Sequence, residues 1–266
     1  MGGRMNIEQR VVRAWNGRIN TRVDVCGSGP PLLFLHGESG HWDPFLDRLA
    51  RRFTVYAPDF PGTSPGAEQE IDELRDIWDL TLYFEELLDA LGLDSVALAG
   101  HSIGGMFAAE LAAHARARIR RLVLIAPAGL WRDDRPVPNW WSIPAAELPQ
   151  RTVAQPDGLV GQIMFAVPRD RDAAIEQVIR KTWALACAGK FTWPIPDKGL
   201  ARRIHRISAP SLIVWGRQDR MIPPVYAEEF AARIGGARTL LVDNAGHIPQ
   251  LEQMDQVGDA VMRFLD

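Results

Sequence analysis

Cysteine is nearly absent from this chain, which carries Cys26 and Cys187 as its only two in 266 residues. A fold held together by a disulfide framework is therefore excluded, and both residues are expected to be buried free thiols. No pair of histidines or cysteines has the spacing of metal ligands. We therefore expect neither a metal nor a cofactor.

Long apolar runs and a charge of one sign are also missing. The longest apolar runs, such as 122–126, fall far short of the roughly 20 residues that a membrane helix needs. Thirty Lys and Arg residues against 33 Asp and Glu give a net charge of -3, which favours neither nucleic acid nor an anionic membrane as a partner. Residues 1–6 lack the apolar core of a signal peptide. These features predict a cytoplasmic monomer or homodimer that handles a small molecule.

Short aliphatic runs alternate with longer segments of helical periodicity. The runs predict strands at 31–35, 53–57, 95–99, 122–125, 211–215 and 239–242. The periodic segments predict helices at 70–91, 103–115, 224–234 and 251–265. This alternation is typical of an α/β fold, with a mostly parallel sheet between two layers of helices.

One segment, 131–200, interrupts this alternation with eight prolines and no strand-like run. We expect it to be a helical cap inserted into a core domain formed by 1–130 and 201–266. Asp170 is the expected N-cap of the longest cap helix. In that helix the apolar residues Ile175, Val178, Ile179, Trp183 and Ala186 share one face.

The pattern G-x-S-x-G occurs twice, at 62–66 and at 100–104. Ser102 lies between a predicted strand and a predicted helix, and the N–H of Ile103 after it can stabilise an oxyanion. Ser64 is followed by Pro65, which has no N–H to donate, and no periodic helix begins there. Ser102 is therefore the predicted nucleophile, and Ile103 one predicted donor of the oxyanion hole.

A second oxyanion donor is expected in the loop after the strand 31–35. Gly37 lets the backbone turn its amides inward, and the N–H of Glu38 is the predicted donor. A carboxylate is unfavourable beside a developing anion, so we expect the Glu38 side chain to point away, toward His41. A direct catalytic role of that carboxylate is the alternative.

A serine hydroxyl needs a histidine to accept its proton and a carboxylate to orient that histidine. His247 lies in a short loop between a predicted strand and the last predicted helix, and it is the predicted general base. Asp219 follows the strand 211–215 at the same carboxyl edge of the sheet and is the predicted acid. The alternative for Asp219 is a helix cap alone. Asp243 is too near His247 in sequence to reach its far nitrogen easily.

Tryptophan is concentrated in the predicted cap, which holds five of the nine, at positions 131, 140, 141, 183 and 193. Large rings beside a concave site suit an apolar ligand, so we predict an apolar roof over Ser102. The alternative is that the rings only join the cap to the core. Trp140 and Trp141 are adjacent, so at least one is a candidate for the pocket wall. The predicted substrate-binding residues are Gly37, His41, Trp42, Trp140, Trp141 and Ile248.

Four short motifs stand in a characteristic order: His36-Gly37, Gly100-His-Ser102-Ile-Gly-Gly, Gly216-Arg-Gln-Asp219 and Gly246-His247. Through them the chain resembles the α/β-hydrolase superfamily over nearly its full length. Its branch resembles the capped esterases, lactonases and carbon-carbon hydrolases. The resemblance implies a serine hydrolase that cleaves a carboxylic ester or lactone of a small apolar substrate through an acyl-enzyme.

Two alternatives to an esterase remain open. Carbon-carbon hydrolases of the meta-cleavage type usually place Trp after the catalytic histidine and a small polar residue before the serine, where this chain has Ile248 and His101. Carbon-carbon cleavage is therefore the second hypothesis. A ligand receptor on the same fold is the third, and repeated turnover of a p-nitrophenyl ester would separate an enzyme from a receptor.

Overall fold

One eight-stranded sheet organises the chain in the computed structural model, which describes residues 6–37, 40–195 and 197–266. Its spatial order is β1-β2-β4-β3-β5-β6-β7-β8. β2 is antiparallel to both of its neighbours, whereas β3 to β8 run parallel. The strands are β1 Glu8–Ala14, β2 Ile19–Cys26, β3 Pro31–Leu35, β4 Thr54–Pro58, β5 Val96–His101, β6 Ile119–Ile125, β7 Ser211–Gly216 and β8 Arg238–Val242.

Helices cover both faces of this sheet, so the predicted α/β fold with three layers is confirmed. One apolar cluster joins the sheet to α2, α3 and α8, and a second joins it to α1 and α10. Neighbouring strand residues alternate between the two clusters, Leu33 in the first and Phe34 in the second. The helices are α1 Pro44–Leu49, α2 Ile77–Ala90, α3 Ile103–His114, α4 Leu148–Thr152, α5 Leu159–Met164, α6 Arg171–Thr192, α7 Leu200–Arg203, α8 Tyr226–Arg233, α9 Pro249–Glu252 and α10 Met254–Leu265.

The strand order reverses at β3, which lies between β4 and β5. The chain leaves β3 to one side and returns on the other, so a crevice opens at the carboxyl ends of β3 and β5. Gly37 follows β3, and Ser102 follows β5 directly. The sheet topology therefore places these two residues at the position where open α/β sheets bind ligands.

The sequence analysis did not predict β1 and β2, which form an antiparallel hairpin. β1 alternates between exposed and half-buried residues, because its outer edge and one face are open to solvent. Continuous apolar runs indicate parallel strands that are buried on both faces. They do not indicate an edge strand such as β1, in which exposed residues alternate with half-buried ones.

Two predicted helices are each divided into two elements in the structure. The segment 70–91 divides into a 3-10 turn, Glu68–Glu73, and α2, which begins after Asp76 because this side chain accepts the N–H groups of Trp78 and Asp79. The segment 251–265 divides at Gln253, whose backbone (φ -127°, ψ 52°) leaves the helical region between α9 and α10. Local capping and dihedral preferences set these boundaries more finely than apolar spacing does.

The described part of 131–200 contains α4, α5, α6 and the first residue of α7, with short 3-10 turns and no strand. Asp170 is the N-cap of α6 and accepts the N–H of Ala173 at 2.9 Å. The shared apolar face of α6 is solvent-exposed in its first half, with Val178 61% and Ile179 63% exposed. The buried residues of α6 lie in its second half, between Ala184 and Thr192. The division of the chain at 131 and 200 stays a prediction.

Both cysteines, Cys26 and Cys187, are buried free thiols. In the described ranges, no helix combines the length and the apolar character that crossing a bilayer requires.

Candidate active site

Ser102 occupies a sharp turn between β5 and α3. Its backbone has φ 56° and ψ -122°, a conformation that is strained for a residue with a side chain. The surrounding structure holds it there: the N–H of Ser102 donates to the carbonyl of Ile125 at 2.9 Å, and the N–H of Ala128 donates to the carbonyl of Ser102 at 3.0 Å. The serine hydroxyl is thus presented at the carboxyl edge of the sheet.

Glycines around this turn allow backbone segments to approach one another closely. A Cβ on Gly104 would lie 2.0 Å from the carbonyl oxygen of His36, and one on Gly100 would lie 2.4 Å from the carbonyl oxygen of Gly104. Only glycine fits such contacts. The start of α3 is therefore pressed against the loop that follows β3.

The side chains of Ser102, His247 and Asp219 form a continuous hydrogen-bonded line. The Nε2 atom of His247 lies 2.8 Å from Ser102 Oγ, and its Nδ1 atom lies 2.8 Å from Asp219 Oδ2. An ionised carboxylate can only accept, so Nδ1 carries the proton of the neutral ring and Nε2 accepts from the serine hydroxyl. The three residues are 9%, 6% and 5% exposed, which shields the line from solvent.

Asp219 is itself held in place by backbone amides. Its Oδ1 atom accepts the N–H groups of Met221 at 2.8 Å and Ile222 at 2.9 Å, which leaves Oδ2 for His247. These bonds are those of a turn cap, so Asp219 acts both as a cap and as the partner of the histidine. They fix the orientation of the carboxylate.

The loops that carry Asp219 and His247 are tied to each other. The N–H of Gln218 donates to the carbonyl of Ala245 at 2.9 Å, and the side-chain oxygen of Gln218 accepts the N–H of Ala245 at 3.0 Å. A Cβ on Gly216 would lie 2.0 Å from the carbonyl oxygen of Gly246. β7 therefore packs backbone to backbone against residues 243–248, the loop that carries His247, which we call the histidine loop.

Of the two predicted donors of the oxyanion hole, the structure describes Ile103. Ile103 is the first residue of α3, where N–H groups have no intrahelical partner and the helix dipole is positive. A Cβ built on Gly37 would lie 4.0 Å from the Cβ of Ser102, so the loop after β3 passes next to this serine. Glu38, the second predicted donor, lies outside the described residues.

The model of the alpha/beta hydrolase family matches residues 32–260 of this sequence. The chain belongs to this family. The matched region includes Ser102, Asp219 and His247 together with the described loops around them.

Relatives of this α/β-hydrolase have different reactions in their names. The 2-hydroxy-6-oxo-6-phenylhexa-2,4-dienoate hydrolase of Burkholderia cepacia is 25% identical, covering 94% of this chain and 93% of its own. The pimeloyl-[acyl-carrier protein] methyl ester esterase of Stenotrophomonas maltophilia is 28% identical, covering 91% and 95%. Among solved structures, the 2-hydroxy-6-oxo-6-phenylhexa-2,4-dienoate hydrolase of Rhodococcus sp. strain RHA1 superposes with a TM-score of 0.75 at 21% identity, covering 98% and 99%.

The other serine and the other aspartate considered above lie apart from this line of hydrogen bonds. Ser64 Oγ accepts the N–H of Arg22 at 3.0 Å in a buried turn. Asp243 forms an exposed ion pair with Arg217 at 2.8 Å. Both have structural partners in this α/β-hydrolase.

Three of the predicted substrate-binding residues have neighbours of their own. His41 is exposed, and its Nδ1 atom lies 2.6 Å from the carbonyl oxygen of Gly40. Trp42 is half-buried and donates its Nε1–H to Asp47 at 2.8 Å, against the cluster that contains α1. Ile248 is 1% exposed. Their role in substrate binding stays a prediction.

Trp140 and Trp141 face different neighbours. Trp140 lines a small cavity of about 20 Å³ together with Met106, one turn after Ser102 in α3. Trp141 packs on Gly189 of α6 and lies edge-on to Trp193 with 6.4 Å between ring centroids. Both indole N–H groups are buried and have no hydrogen-bond partner among the described residues. Of the two rings, Trp140 is therefore the one that lies toward α3, the helix that begins directly after Ser102.

Two groups beside the histidine loop were absent from the predicted site. The carbonyl of Thr152 accepts the N–H of His247 at 2.7 Å, and Glu252 Oε1 accepts the N–H of Gly246 at 2.7 Å. The position of Glu252, five residues after His247 and at the end of α9, is a signal that the sequence could have offered. Thr152 lies 95 positions away in the chain, so only the tertiary structure reveals its contact.

Proposed function

We propose that this chain is a serine hydrolase that cleaves a carboxylic ester or lactone of a small apolar substrate through an acyl-enzyme. One observation carries the proposal: Ser102 Oγ, the His247 ring and Asp219 Oδ2 are joined by two contacts of 2.8 Å. In this reading Ser102 is the nucleophile, His247 the general base and Asp219 the acid that orients the histidine.

In the first half of the reaction, Ser102 Oγ attacks the carbonyl carbon while its proton moves to His247 Nε2. The negative charge that develops on the carbonyl oxygen is stabilised by the N–H of Ile103 at the start of α3, with the N–H of Glu38 as the second expected donor. The imidazolium is stabilised by Asp219, whose Oδ2 accepts the Nδ1–H. His247 then gives its proton to the leaving alkoxide as the ester C–O bond breaks.

In the second half, water replaces the alcohol and the same groups act again. His247 Nε2 removes a proton from water as the oxygen attacks the acyl carbon. The second oxyanion uses the same N–H donors, and its collapse returns the proton to Ser102 and releases the acid. The line of hydrogen bonds regenerates in its starting state.

Carbon-carbon hydrolysis is the second candidate. It is favoured by the similarity to the Burkholderia cepacia dienoate hydrolase over 94% of this chain. It is disfavoured by Ile248 and His101, which stand where the meta-cleavage hydrolases usually place Trp and a small polar residue. We therefore rank ester or lactone cleavage first.

A substrate panel tests the proposal. The panel contains p-nitrophenyl esters from acetate to octanoate, a set of lactones and a vinylogous diketone of the dienoate type, each measured with the wild type, Ser102→Ala and Ser64→Ala. Repeated turnover of esters or lactones by the wild type and Ser64→Ala, and not by Ser102→Ala, supports the proposal. Preference for the diketone favours carbon-carbon hydrolysis, and a single turnover with retained acyl group favours a receptor.

A further inference from the structure

We propose that Glu252 is a positioning residue for His247, and that it acts together with the cap segment 150–154, which we call the strap. Through these contacts the placement of the cap and the geometry of the serine-histidine pair are coupled. The inference rests on the proposed function, because it assumes that His247 activates Ser102.

The strap touches the histidine loop through the backbone of His247 itself. The N–H of His247 donates to the carbonyl of Thr152 at 2.7 Å, and Val153 beside it is fully buried. A Cβ on Gly246 would lie 2.5 Å from the carbonyl oxygen of Thr152 and 3.0 Å from the amide nitrogen of Ala154. The strap and the histidine loop thus leave no room for a side chain between them.

Glu252 joins the same two segments with one carboxylate. Its Oε1 atom accepts the N–H of Gly246, and its Oε2 atom accepts the N–H of Ala154, each at 2.7 Å. Burial raises the pKa of Glu252, while these backbone hydrogen bonds oppose that rise. A carboxylate that binds one amide on each side fixes the distance between the strap and the loop.

The strap also reaches the loop of the acid. Arg220, the residue after Asp219, donates its Nη1–H to the carbonyl of Gln150 at 2.8 Å. The strap therefore has hydrogen bonds to both loops that carry the partners of Ser102. A displacement of the cap that moves the strap must break or stretch these bonds.

This coupling matters for catalysis because the rate of proton transfer from Ser102 to His247 depends strongly on the distance between the two groups. His247 Nε2 is 2.8 Å from Ser102 Oγ, and a misplacement of about 1 Å can cost about 10²-fold in rate. Gln218 holds the histidine loop at Ala245. Glu252 and the strap hold it at the N–H groups of the next two residues, Gly246 and His247, and so add a restraint that keeps Nε2 at this distance.

Two variants of Glu252 test this role. Glu252→Ala removes both acceptors, and Glu252→Gln keeps the side-chain length with one acceptor oxygen. We expect kcat for a p-nitrophenyl ester to fall by about 10- to 100-fold in Glu252→Ala, with KM nearly unchanged, and by less in Glu252→Gln. Asp79→Asn is the matched control, since Asp79 is a buried carboxylate that accepts the N–H of Arg75 far along the chain from His247.

A variant in the histidine loop tests the same contact with the strap without changing Glu252. In Gly246→Ala the new methyl group meets the carbonyl of Thr152, so the strap or the loop must shift. We expect the same pattern as in Glu252→Ala, a lower kcat with KM nearly unchanged. This variant tests the coupling even where Glu252→Ala is too unstable to purify.

Proton NMR of the His247 ring separates positioning from a general loss of stability. The Nδ1 proton bonds to Asp219, and Asp219→Asn serves to assign its resonance. We expect this resonance to shift or broaden in Glu252→Gln and Gly246→Ala and to stay in place in Asp79→Asn. This readout does not depend on turnover, so it tests the positioning role even if the proposed substrate class is wrong.

The proposal is overturned if Glu252→Ala, Glu252→Gln and Gly246→Ala keep the kcat of the wild type and an unchanged Nδ1 resonance. It is also overturned if Asp79→Asn shows the same changes as these variants, because the effect would then reflect stability alone. Failure of the proposed function has another signature: no Ser102-dependent turnover in the wild type.

Discussion

The Nε2 atom of His101 lies 2.8 Å from the backbone carbonyl oxygen of His247, and the two rings are 5.0 Å apart. A carbonyl only accepts, so His101 donates the proton on Nε2. Burial lowers the pKa of His101 to about 3, which keeps its ring neutral at the pH values where enzymes usually work. His101, directly before the proposed nucleophile Ser102, thus supports the backbone of His247, the proposed general base.

The pH dependence of activity should therefore show one acid limb. Imidazolium cannot accept the proton of Ser102, so kcat/KM should be high while His247 is neutral and should fall on acidification once its ring is protonated, with a limiting slope of one. The measurement is kcat/KM for p-nitrophenyl acetate as a function of pH. An acid limb with a slope of two would contradict the prediction, since it would require a second histidine such as His101 to titrate together with His247.

Replacing Asp219, the proposed orienting carboxylate, should reduce kcat about as much as replacing Ser102, the proposed nucleophile. In Asp219→Asn the amide can present a donor to Nδ1, which favours the wrong ring tautomer, and kcat should fall by roughly 10⁴-fold, comparable to the loss in Ser102→Ala. Asp243→Asn is the control, because Asp243 forms only an exposed ion pair with Arg217. Steady-state kinetics of both variants check the assignment, which a dead Asp243→Asn and an active Asp219→Asn would reverse.

Trp140 should influence the choice of substrate more than Trp141 does. Trp140 lines a cavity with Met106, and the N–H of Met106 donates to the carbonyl of Ser102 at 3.1 Å. We expect Trp140→Ala to reduce kcat/KM more for bulky or aromatic esters than for acetate, by on the order of 1–3 kcal/mol of differential binding.

Trp141→Ala is the matched control, because its ring packs on Gly189 of α6 and on Trp193. The measurement is the ester series on both variants after circular dichroism shows that they remain folded. Equal losses for acetate and for the bulkier esters in Trp140→Ala would exclude a role of this ring in substrate selection.

Stability should depend on pH through Asp43, the N-cap of α1, which accepts the N–H of Leu46 at 2.9 Å. Burial raises the pKa of Asp43 to about 6, above the value of about 3.9 for an unfolded chain. The folded state then binds this proton more tightly than the unfolded state does. The contribution of Asp43 to the free energy of unfolding therefore falls as the pH rises from about 4 to about 6.

Asp43→Asn keeps a good capping group without the charge. We expect this variant to be more stable than the wild type at pH 7, by on the order of 1 kcal/mol, and to lose that advantage at about pH 4. Urea unfolding at both pH values is the measurement. Asp76→Asn makes the same exchange at the exposed N-cap of α2 and controls for capping chemistry. An advantage of Asp43→Asn that is the same at both pH values would refute the role of its ionisation.

The parts of the fold that sequence predicted are those with strong local signals. Residues 32–35 form a continuous apolar run because both faces of β3 are covered by helices. Such a run is easily recognised in a sequence. The turn at Ser102 was recognisable because a strand, a serine between glycines and a helix follow one another there. These signals lie within a few consecutive residues, so β3 and the turn at Ser102 could be predicted without knowledge of tertiary contacts.

The remaining features depend on tertiary contacts. Val178 and Ile179 occupy an apolar face of α6, but periodicity does not tell whether anything covers that face, and both are exposed. The contact of Thr152 with His247 joins two segments that no motif links. Asp219 was predicted from its place after β7, whereas the amides that hold its second oxygen became visible only with the structure.

The left-handed backbone at Ser102 (φ 56°) also has a meaning for evolution. Glycine adopts this conformation without the steric cost that a Cβ brings, a cost of order 1 kcal/mol or more. Exchange of the serine for glycine would remove that strain, so folding alone would favour glycine at this position. If Ser102 is the nucleophile, as proposed, a lineage of this protein released from selection for hydrolysis would gain stability by replacing this serine with glycine.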